Sequence, residues 1–168
     1  ATNDLHSVRW HPSGDFALIL GSDGEILRYD ANLKSLALAT TIDGDVNDLD
    51  AAPDGTFFLV VGTDNEGEGT VWRLSISQGG DLTPAVEFEV TIEATLSTGT
   101  PIAVEAAPKN PEWVFGARTS TSTSANYLYL WRDGEGVYET KSFVAGGLTD
   151  LMWAYPDSYG GKATVITS

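Results

Sequence analysis

The chain has 168 residues, 42% of them hydrophobic and 10% aromatic, which excludes an intrinsically disordered polymer. Its 24 acidic residues outnumber its 9 basic ones, and the formal net charge of -15 disfavours nucleic acids and anionic membranes as partners. The absence of cysteine excludes disulfides, thiolate metal sites and cysteine nucleophiles. Because no apolar run reaches the roughly 18 residues of a membrane-spanning helix, we expect a soluble chain and prefer an intracellular location.

The first part of the chain predicts four consecutive strands. Leu5–Trp10 alternates apolar and polar residues and stops before a proline turn, and Phe16–Leu20 is an unbroken apolar run. The segment Ser22–Gly24 is a tight hairpin signal, after which Glu25–Asp30 forms the third predicted strand. Leu36–Ile42 is the fourth, and the fourth strand of each unit is expected to be the most polar one, at an outer edge.

The same order of strands recurs along the rest of the chain. Val46–Pro53 and Pro101–Pro108 again alternate apolar and polar residues and end at a proline. A fourth unit begins with Leu148–Trp153, continues with Ala163–Ile166 and holds no further strand. The remaining predicted strands are Phe57–Val61, Thr70–Leu74, Val86–Ile92, Trp113–Phe115, Tyr127–Asp133 and Val137–Phe143.

This recurrence is an internal repeat with a measurable period. The four anchoring prolines, of which Pro12 is the first and Pro156 the last, follow one another after 41, 55 and 48 residues. A unit of about 40 to 50 residues is typical of a β-propeller blade. Since no segment shows helical spacing, we predict an all-β fold, a β-propeller segment of four-stranded antiparallel blades with an incomplete last blade. The blades of this single partial propeller, residues 1–168, span residues 5–43, 45–93 and 100–144, with a half blade at 147–168.

The turns and strand ends carry a family resemblance. His11–Gly14 and Ala52–Gly55 are proline-containing turns, and three strands end in an aromatic residue followed by a charge: Tyr29–Asp30, Trp72–Arg73 and Trp131–Asp133. In this pattern the chain resembles the WD-repeat β-propellers, although the Gly-His pair that usually precedes each first strand is absent. The resemblance implies a non-enzymatic scaffold for protein–protein interaction and complex assembly, which binds its partners through loop faces.

Three and a half blades leave an open ring with exposed strand edges. Because the chain begins at Ala1 rather than Met, we expect a processed or excerpted polypeptide. The ring is expected to be completed by the remainder of a longer polypeptide, by strands of a partner protein or by a second copy of the chain. The first of these is the preferred expectation.

Acidic loops are predicted to share one rim of the disc. In the WD-repeat arrangement, the two glycine-rich loops at residues 43–48 and 64–69 lie on the same face as the first hairpin turn. Loops on a rigid scaffold are where binding residues concentrate, and a basic protein surface would fit this charge. The predicted partner-binding rim, called the acidic rim below, comprises Asp23, Asp43, Asp45, Asp64, Glu66 and Glu68.

Part of this rim has the spacing of metal ligands. Asp43, Asp45 and Asn47 are spaced like the first ligands of a calcium loop. The sixth position of the loop lacks the expected glycine, and the twelfth is Asp54 rather than Glu. We favour an inter-blade turn with a solvated acidic face, so we expect no cofactor and retain these three residues only as a metal candidate.

Catalytic signatures are missing from the sequence. It contains no nucleophile elbow, no P-loop and no dinucleotide-binding fingerprint, so we expect no enzymatic activity. The alternative is a propeller enzyme or carbohydrate-binding domain that uses carboxylates from several blades. The five tryptophans fit predicted strands, which assigns them to the core rather than to sugar platforms.

Overall fold

The computed structural model describes residues 4–78, 86–96, 99–107, 112–118, 126–143, 148–154 and 162–167. Within these ranges the chain forms strands, and the only helical element described is a single 3-10 turn at Ser22–Gly24, where the sequence predicts the first hairpin. The predicted all-β fold is confirmed.

The first sheet contains four antiparallel strands in chain order. These are β1 (Leu5–Trp10), β2 (Phe16–Gly21), β3 (Glu25–Asp30) and β4 (Ser35–Thr41). Each strand pairs with the one before it, because every connection is a short turn. The left-handed backbone that these turns need is adopted by Gly14 in the first turn, by Asp23 and Gly24 in the second and by Lys34 in the third. We call this sheet 1.

Two further four-stranded sheets and one two-stranded sheet repeat this order. Sheet 2 contains β5 (Gly44–Ala51), β6 (Phe57–Asp64), β7 (Gly69–Gln78) and β8 (Val86–Thr95). Sheet 3 contains β9 (Thr100–Ala106), β10 (Glu112–Arg118), β11 (Asn126–Arg132) and β12 (Gly136–Phe143). Sheet 4 pairs β13 (Leu148–Ala154) with β14 (Lys162–Thr167).

The first strands of the sheets lie side by side. β1 contacts β5, β5 contacts β9 and β9 contacts β13, so the four sheets follow one another as the blades of an arc. The first strand of each sheet is therefore the innermost one. Sheets 1 and 4 form the two ends of this arc.

The described side chains form two core layers, one between sheets 1 and 2 and one between sheets 2 and 3. Sheet 1 contributes Phe16, Leu18 and Leu20 to the layer against sheet 2, and the third strand adds Ile26. Strand β6 is buried on both faces, because its alternate residues enter the two different layers. This explains its unbroken apolar sequence. The layer between sheets 2 and 3 contains Phe57, Leu59, Val61, Val71, Val104, Trp113, Tyr129 and Trp131.

Polar contacts also cross between sheets. The guanidinium of Arg73 lies 3.8 Å from the ring centroid of Phe57, and its Nη1 donates to the Oδ1 of Asp133 at 2.7 Å. His11 stacks on Phe16 with centroids 4.6 Å apart, and its Nε2 bonds the Gly55 carbonyl oxygen at 2.9 Å. A turn residue of sheet 1 thus holds the corresponding turn of sheet 2.

The outer strand β4 differs from the sequence prediction. It contains no charged residue, and Leu36 and Leu38 are 55% and 59% exposed. The register pairs Leu38 with Leu27 and Leu36 with Tyr29, so both leucines extend an apolar face that begins on the inner strands. The expectation that every fourth strand is the most polar one is therefore wrong for β4.

Candidate interaction site

An open cleft of about 350 Å³ lies where the β2–β3 turn meets the connection between β4 and β5. Three carboxylates of the predicted rim line it, and no lysine or arginine does. Asp23 and Asp45 are exposed, and their carboxylates make no hydrogen bond or ion pair with the residues that the structure describes. We call this the acidic cleft, and its lining is Asp23, Thr41, Ile42, Asp43, Gly44, Asp45 and Asn65.

Close backbone packing shapes the cleft. Asp23 and Gly24 have φ angles of 60° and 72°, in the left-handed region that aspartate tolerates and glycine favours. The Ile42 amide donates to the Gly24 carbonyl oxygen at 2.9 Å. A Cβ on Gly24 would lie 2.0 Å from the Ile42 carbonyl oxygen, so only glycine allows the turn to approach this closely. Asp23 and Asp43 are thereby brought to one site.

The β6–β7 loop adjoins the cleft through Asn65, whose Nδ2 donates to Asp43 Oδ1. The carboxylate of Asp64 instead closes its own loop, because it accepts hydrogen bonds from the Glu66 and Glu68 amides at 3.0 and 2.9 Å. These bonds, chiefly that from Glu68, lower the pKa of Asp64. Glu66 and Glu68 are exposed on the same loop. The structure therefore gathers Asp23, Asp43 and Asp45, and assigns Asp64 a role in shaping the loop.

Of the three metal candidates, Asp43 and Asp45 line the acidic cleft, whereas Asn47 is not part of its lining. Asp45 and Asn47 lie in strand β5, and the Asn47 Nδ2 donates to the Pro101 carbonyl oxygen at 2.8 Å. Across the described ranges, no group of three or more histidine, aspartate or glutamate side chains is close enough to hold a metal ion. Asn47 instead ties the inner strand of sheet 2 to that of sheet 3.

A second carboxylate pair, which sequence reasoning missed, lies on the inner strands. Asp48 Oδ1 accepts from Ser7 Oγ at 2.7 Å, and its Oδ2 accepts from the Val104 amide at 3.1 Å. Asp50 Oδ2 accepts from the Ala106 amide at 2.8 Å. Strand β5 is thus held to β1 on one side and β9 on the other by carboxylates.

Burial raises the pKa of both Asp48 and Asp50, while their hydrogen bonds and Arg9 act in the opposite direction. The Arg9 Nε lies 3.4 Å from Asp50 Oδ1, and its Nη2 is 4.0 Å from both Asp48 and Glu105. A sequence signal existed. Polar residues occupy alternate positions in the first strand of sheets 1 and 2. Ser7 and Arg9 hold in β1 the register positions that Asp48 and Asp50 hold in β5.

In the part of the chain that the structure describes, no sheet packs on one face of sheet 1. Cross-strand pairs place its residues together, since Val8 pairs with Ile19 and Trp10 with Ala17. Val8 and Trp10 are 52% and 53% exposed. We call this the free face, and its apolar side chains are Leu5, Val8, Trp10, Ala17, Ile19, Leu27, Tyr29, Leu36 and Leu38. Glu25 lies at one end of the same face, since a Cβ on Gly21, the partner of Leu5, would be 3.5 Å from the Glu25 Cβ.

Two solved structures share this arrangement of successive antiparallel sheets. The β-propeller domain of Cps50 (Swd1) from Myceliophteria thermophila matches 89% of this chain with a TM-score of 0.65 and 13% sequence identity. The chain is a partial β-propeller. A putative TolB from Agrobacterium tumefaciens matches 84% of the chain with a TM-score of 0.61 and 16% identity. No protein-family model matches the chain, and no curated protein matches it in sequence.

The partial propeller spans less than half the length of these two structures, 44% and 49% respectively. The resemblance to WD-repeat propellers that the sequence shows is confirmed at the level of the fold. Among the described residues, no helix is long and apolar enough to cross a membrane.

Proposed function

We propose that this partial propeller is a non-enzymatic interaction module, and that a basic protein binds at its acidic cleft. The observation that carries the proposal is the convergence of Asp23, Asp43 and Asp45 on one open cleft with no basic side chain in its lining. Carboxylates gathered without a counter-charge repel one another, and a cationic partner relieves this repulsion.

The rigidity of the cleft supports the same proposal. Gly24 and Gly44 both approach neighbouring backbone so closely that a Cβ would meet a carbonyl oxygen at 2.0 and 2.5 Å. The backbone that carries the carboxylates is therefore positioned before a partner arrives, which limits the conformational entropy lost on binding to that of the side chains. The net charge of -15 adds a long-range field that attracts basic surfaces.

The bonding of the inner-strand carboxylates supports a role outside catalysis. Asp48 and Asp50 accept hydrogen bonds from backbone amides of sheet 3 and lie beside Arg9. These hydrogen bonds give both carboxylates a structural task, which is to hold β5 to β9. We therefore propose an interaction scaffold that forms part of a larger or complemented propeller.

The test replaces two cleft charges by isosteric amides. The double variant Asp23→Asn/Asp45→Asn retains Asp43 with its Asn65 hydrogen bond, and Asn tolerates the left-handed backbone of residue 23. We expect it to weaken binding of a lysine- and arginine-rich peptide by about 10-fold at low salt. Titration calorimetry measures this dissociation constant.

The matched control removes two charges elsewhere. Asp15→Asn/Glu89→Gln changes the net charge equally at two exposed residues outside the cleft lining. We expect this variant to bind the peptide like the native chain, and binding by the native chain to weaken between low and physiological salt. Equal losses in both double variants would show a general charge effect and would overturn the cleft as the binding site.

A further inference from the structure

The free face of sheet 1 corresponds to a face of sheet 3 that sheet 2 covers. Both first strands contain one register shift, which lies immediately before Ser7 in β1 and before Ala103 in β9. This shift aligns Val8 with Val104, and the strands that follow can be compared residue by residue. The free-face residues Val8, Trp10, Ala17, Leu27 and Tyr29 correspond to Val104, Ala106, Trp113, Tyr129 and Trp131, all of which are buried.

The two faces carry the same kinds of side chain. In sheet 3, small Ala106 on the first strand pairs with large Trp113 on the second. In sheet 1 the order is reversed, since large Trp10 pairs with small Ala17. One tryptophan and one alanine fill the pair in both sheets, so the summed side-chain volume is the same. The free face therefore has the composition of a covered face, although Trp10 is 53% exposed in the described part of the chain.

The inner edge of sheet 1 also presents two backbone donors. The His11 amide donates to the Phe16 carbonyl oxygen at 2.9 Å, and in an antiparallel ladder only alternate residues of a strand bond the neighbouring strand. The amides of Val8 and Trp10 therefore point away from β2, toward the inner edge. Neither amide donates to an acceptor within the ranges that the structure describes.

Sheet 3 shows what such amides bind. The Val104 amide donates to Asp48 Oδ2 at 3.1 Å, and the Ala106 amide donates to Asp50 Oδ2 at 2.8 Å. Both carboxylates belong to β5, the first strand of the covering sheet, and they are two residues apart. The two inner-edge amides of β1 hold the same register positions as these amides of β9. Carboxylates suit them because a hydrogen bond to a charged acceptor is about twice as strong as one between neutral groups.

We propose that sheet 1 binds a propeller blade that lies outside residues 1–168 and shares two features with sheet 2. The first strand of this covering blade carries two carboxylates two residues apart, which accept hydrogen bonds from the Val8 and Trp10 amides. Its second strand presents an apolar face to Trp10 and Tyr29. The covering blade gives the proposed complemented propeller, on which this inference rests, a stated chemistry, and it does not involve the acidic cleft.

The first experiment tests the contact between carboxylate and amide inside the native chain. Asp50→Ala removes the acceptor of the Ala106 amide and retains the bond between Asp48 and Val104. We expect hydrogen–deuterium exchange, followed by NMR, to become at least about 10-fold faster at Ala106 and to stay unchanged at Val104. Equal exchange of Ala106 in the variant and the native chain would overturn the role assigned to the carboxylates.

The second experiment supplies a blade of the proposed kind. Residues 44–99, which contain sheet 2 and its connection to sheet 3, are repeated directly before residue 4, because Leu5 and Pro101 hold the same register position. In the native chain we expect the Val8 and Trp10 amides to exchange rapidly. In this tandem chain we expect both to exchange at least about 10-fold more slowly.

Two variants of the added blade separate its carboxylates from its apolar face. Asp48→Ala/Asp50→Ala in the added copy removes both acceptors, and we expect the Val8 and Trp10 amides to regain at least about 10-fold of their exchange rate. Asp45→Ala/Glu89→Ala in the same copy is the matched control, since it removes the same charge at two exposed residues. This control is expected to keep the slow exchange of the tandem chain.

The outcomes distinguish this inference from the proposed function. Rapid exchange of Val8 and Trp10 in a folded tandem chain, with the Arg9 amide protected by β2, would overturn both the covering blade and the complemented propeller. Slow exchange that persists in the alanine variant would retain a covering blade and overturn its acidic strand. Protection of both amides in the native chain that increases with its concentration would make a second copy the occupant. If the tandem chain does not fold, the exchange of Ala106 in Asp50→Ala decides.

Discussion

Single glycines determine where the acidic side chains of this protein lie. Gly24 has a φ angle of 72° and packs against the Ile42 carbonyl oxygen, and this contact brings the Asp23 turn to the β4–β5 connection. The sequence predicts the turn itself, since Ser-Asp-Gly is a tight hairpin signal. It does not predict the close approach, because the contacted backbone is 18 residues away in the chain.

Substitution of Gly24 tests this contact. We expect Gly24→Ala to lower the free energy of unfolding by about 3 kcal/mol, since the left-handed backbone and a carbonyl clash both act against a Cβ. Gly14→Ala is the control, because Gly14 has a similar φ of 79° but no atom within 4 Å of its Cβ position. We expect this control to lose only about 1 kcal/mol in urea unfolding. Equal losses would mean that backbone conformation alone matters.

The innermost strands are joined by side chains rather than by a backbone ladder. Asp48 accepts hydrogen bonds from Ser7 in β1 and from Val104 in β9, so one carboxylate fixes three strands. At 8% exposure it is the only charged residue that is buried in the described part of the chain. The cost of burying this charge is what raises its pKa.

The raised pKa makes the stability of the strands pH-dependent. The unfolded carboxyl titrates at its ordinary pKa of 3.8, so the contribution of Asp48 to stability is fully present below that value. It is lost as pH rises through the higher pKa of the folded state. We expect the free energy of unfolding to fall between about pH 4 and about pH 7 more steeply in the native chain than in Asp48→Asn.

Urea unfolding of both proteins across this range measures the difference. Arg9, Asp50 and Glu105 surround the site in both proteins, and the lowered pKa values of Asp54 and Asp64 act in the opposite direction in both. The contributions of Asp54 and Asp64 therefore cancel in the comparison. The Asp48 charge also raises the pKa of Asp50, so its removal in Asp48→Asn flattens the pH profile in the same direction. Parallel pH profiles would mean that Asp48 titrates alike in the folded and unfolded states.

The positions of the strands were more predictable from the sequence than the exposure of their side chains. β1 and β3 have the predicted bounds, because alternation and turn residues are local signals. The outer position of β4 was also predicted, but its apolar side chains belong to the free face. Whether a strand face meets solvent or another sheet depends on neighbours that the local pattern does not specify.

Net charge acts on the whole molecule. With a formal charge of -15, folding concentrates like charges, and this self-repulsion opposes the compact state. We expect added sodium chloride, from about 20 to about 150 mM, to raise the free energy of unfolding by roughly 1 kcal/mol. Urea unfolding of the native chain at each salt level and at one protein concentration measures this free energy. A neutral osmolyte at equal osmolarity is the control, and an equal gain from it would contradict the electrostatic cause.

The sequence by itself determined the strands, the blade period and the all-β partial propeller, because periodicity and turn chemistry depend on residues close together in the chain. Only the tertiary structure decided the roles of the carboxylates. Asp43 and Asp45 line an open cleft, Asp64 closes its own loop, and Asp48 bonds an amide 56 residues away. An aspartate has the same local signature in all three settings. Its partners are set by how the sheets pack, which brings distant backbone donors to some carboxylates and leaves others to solvent.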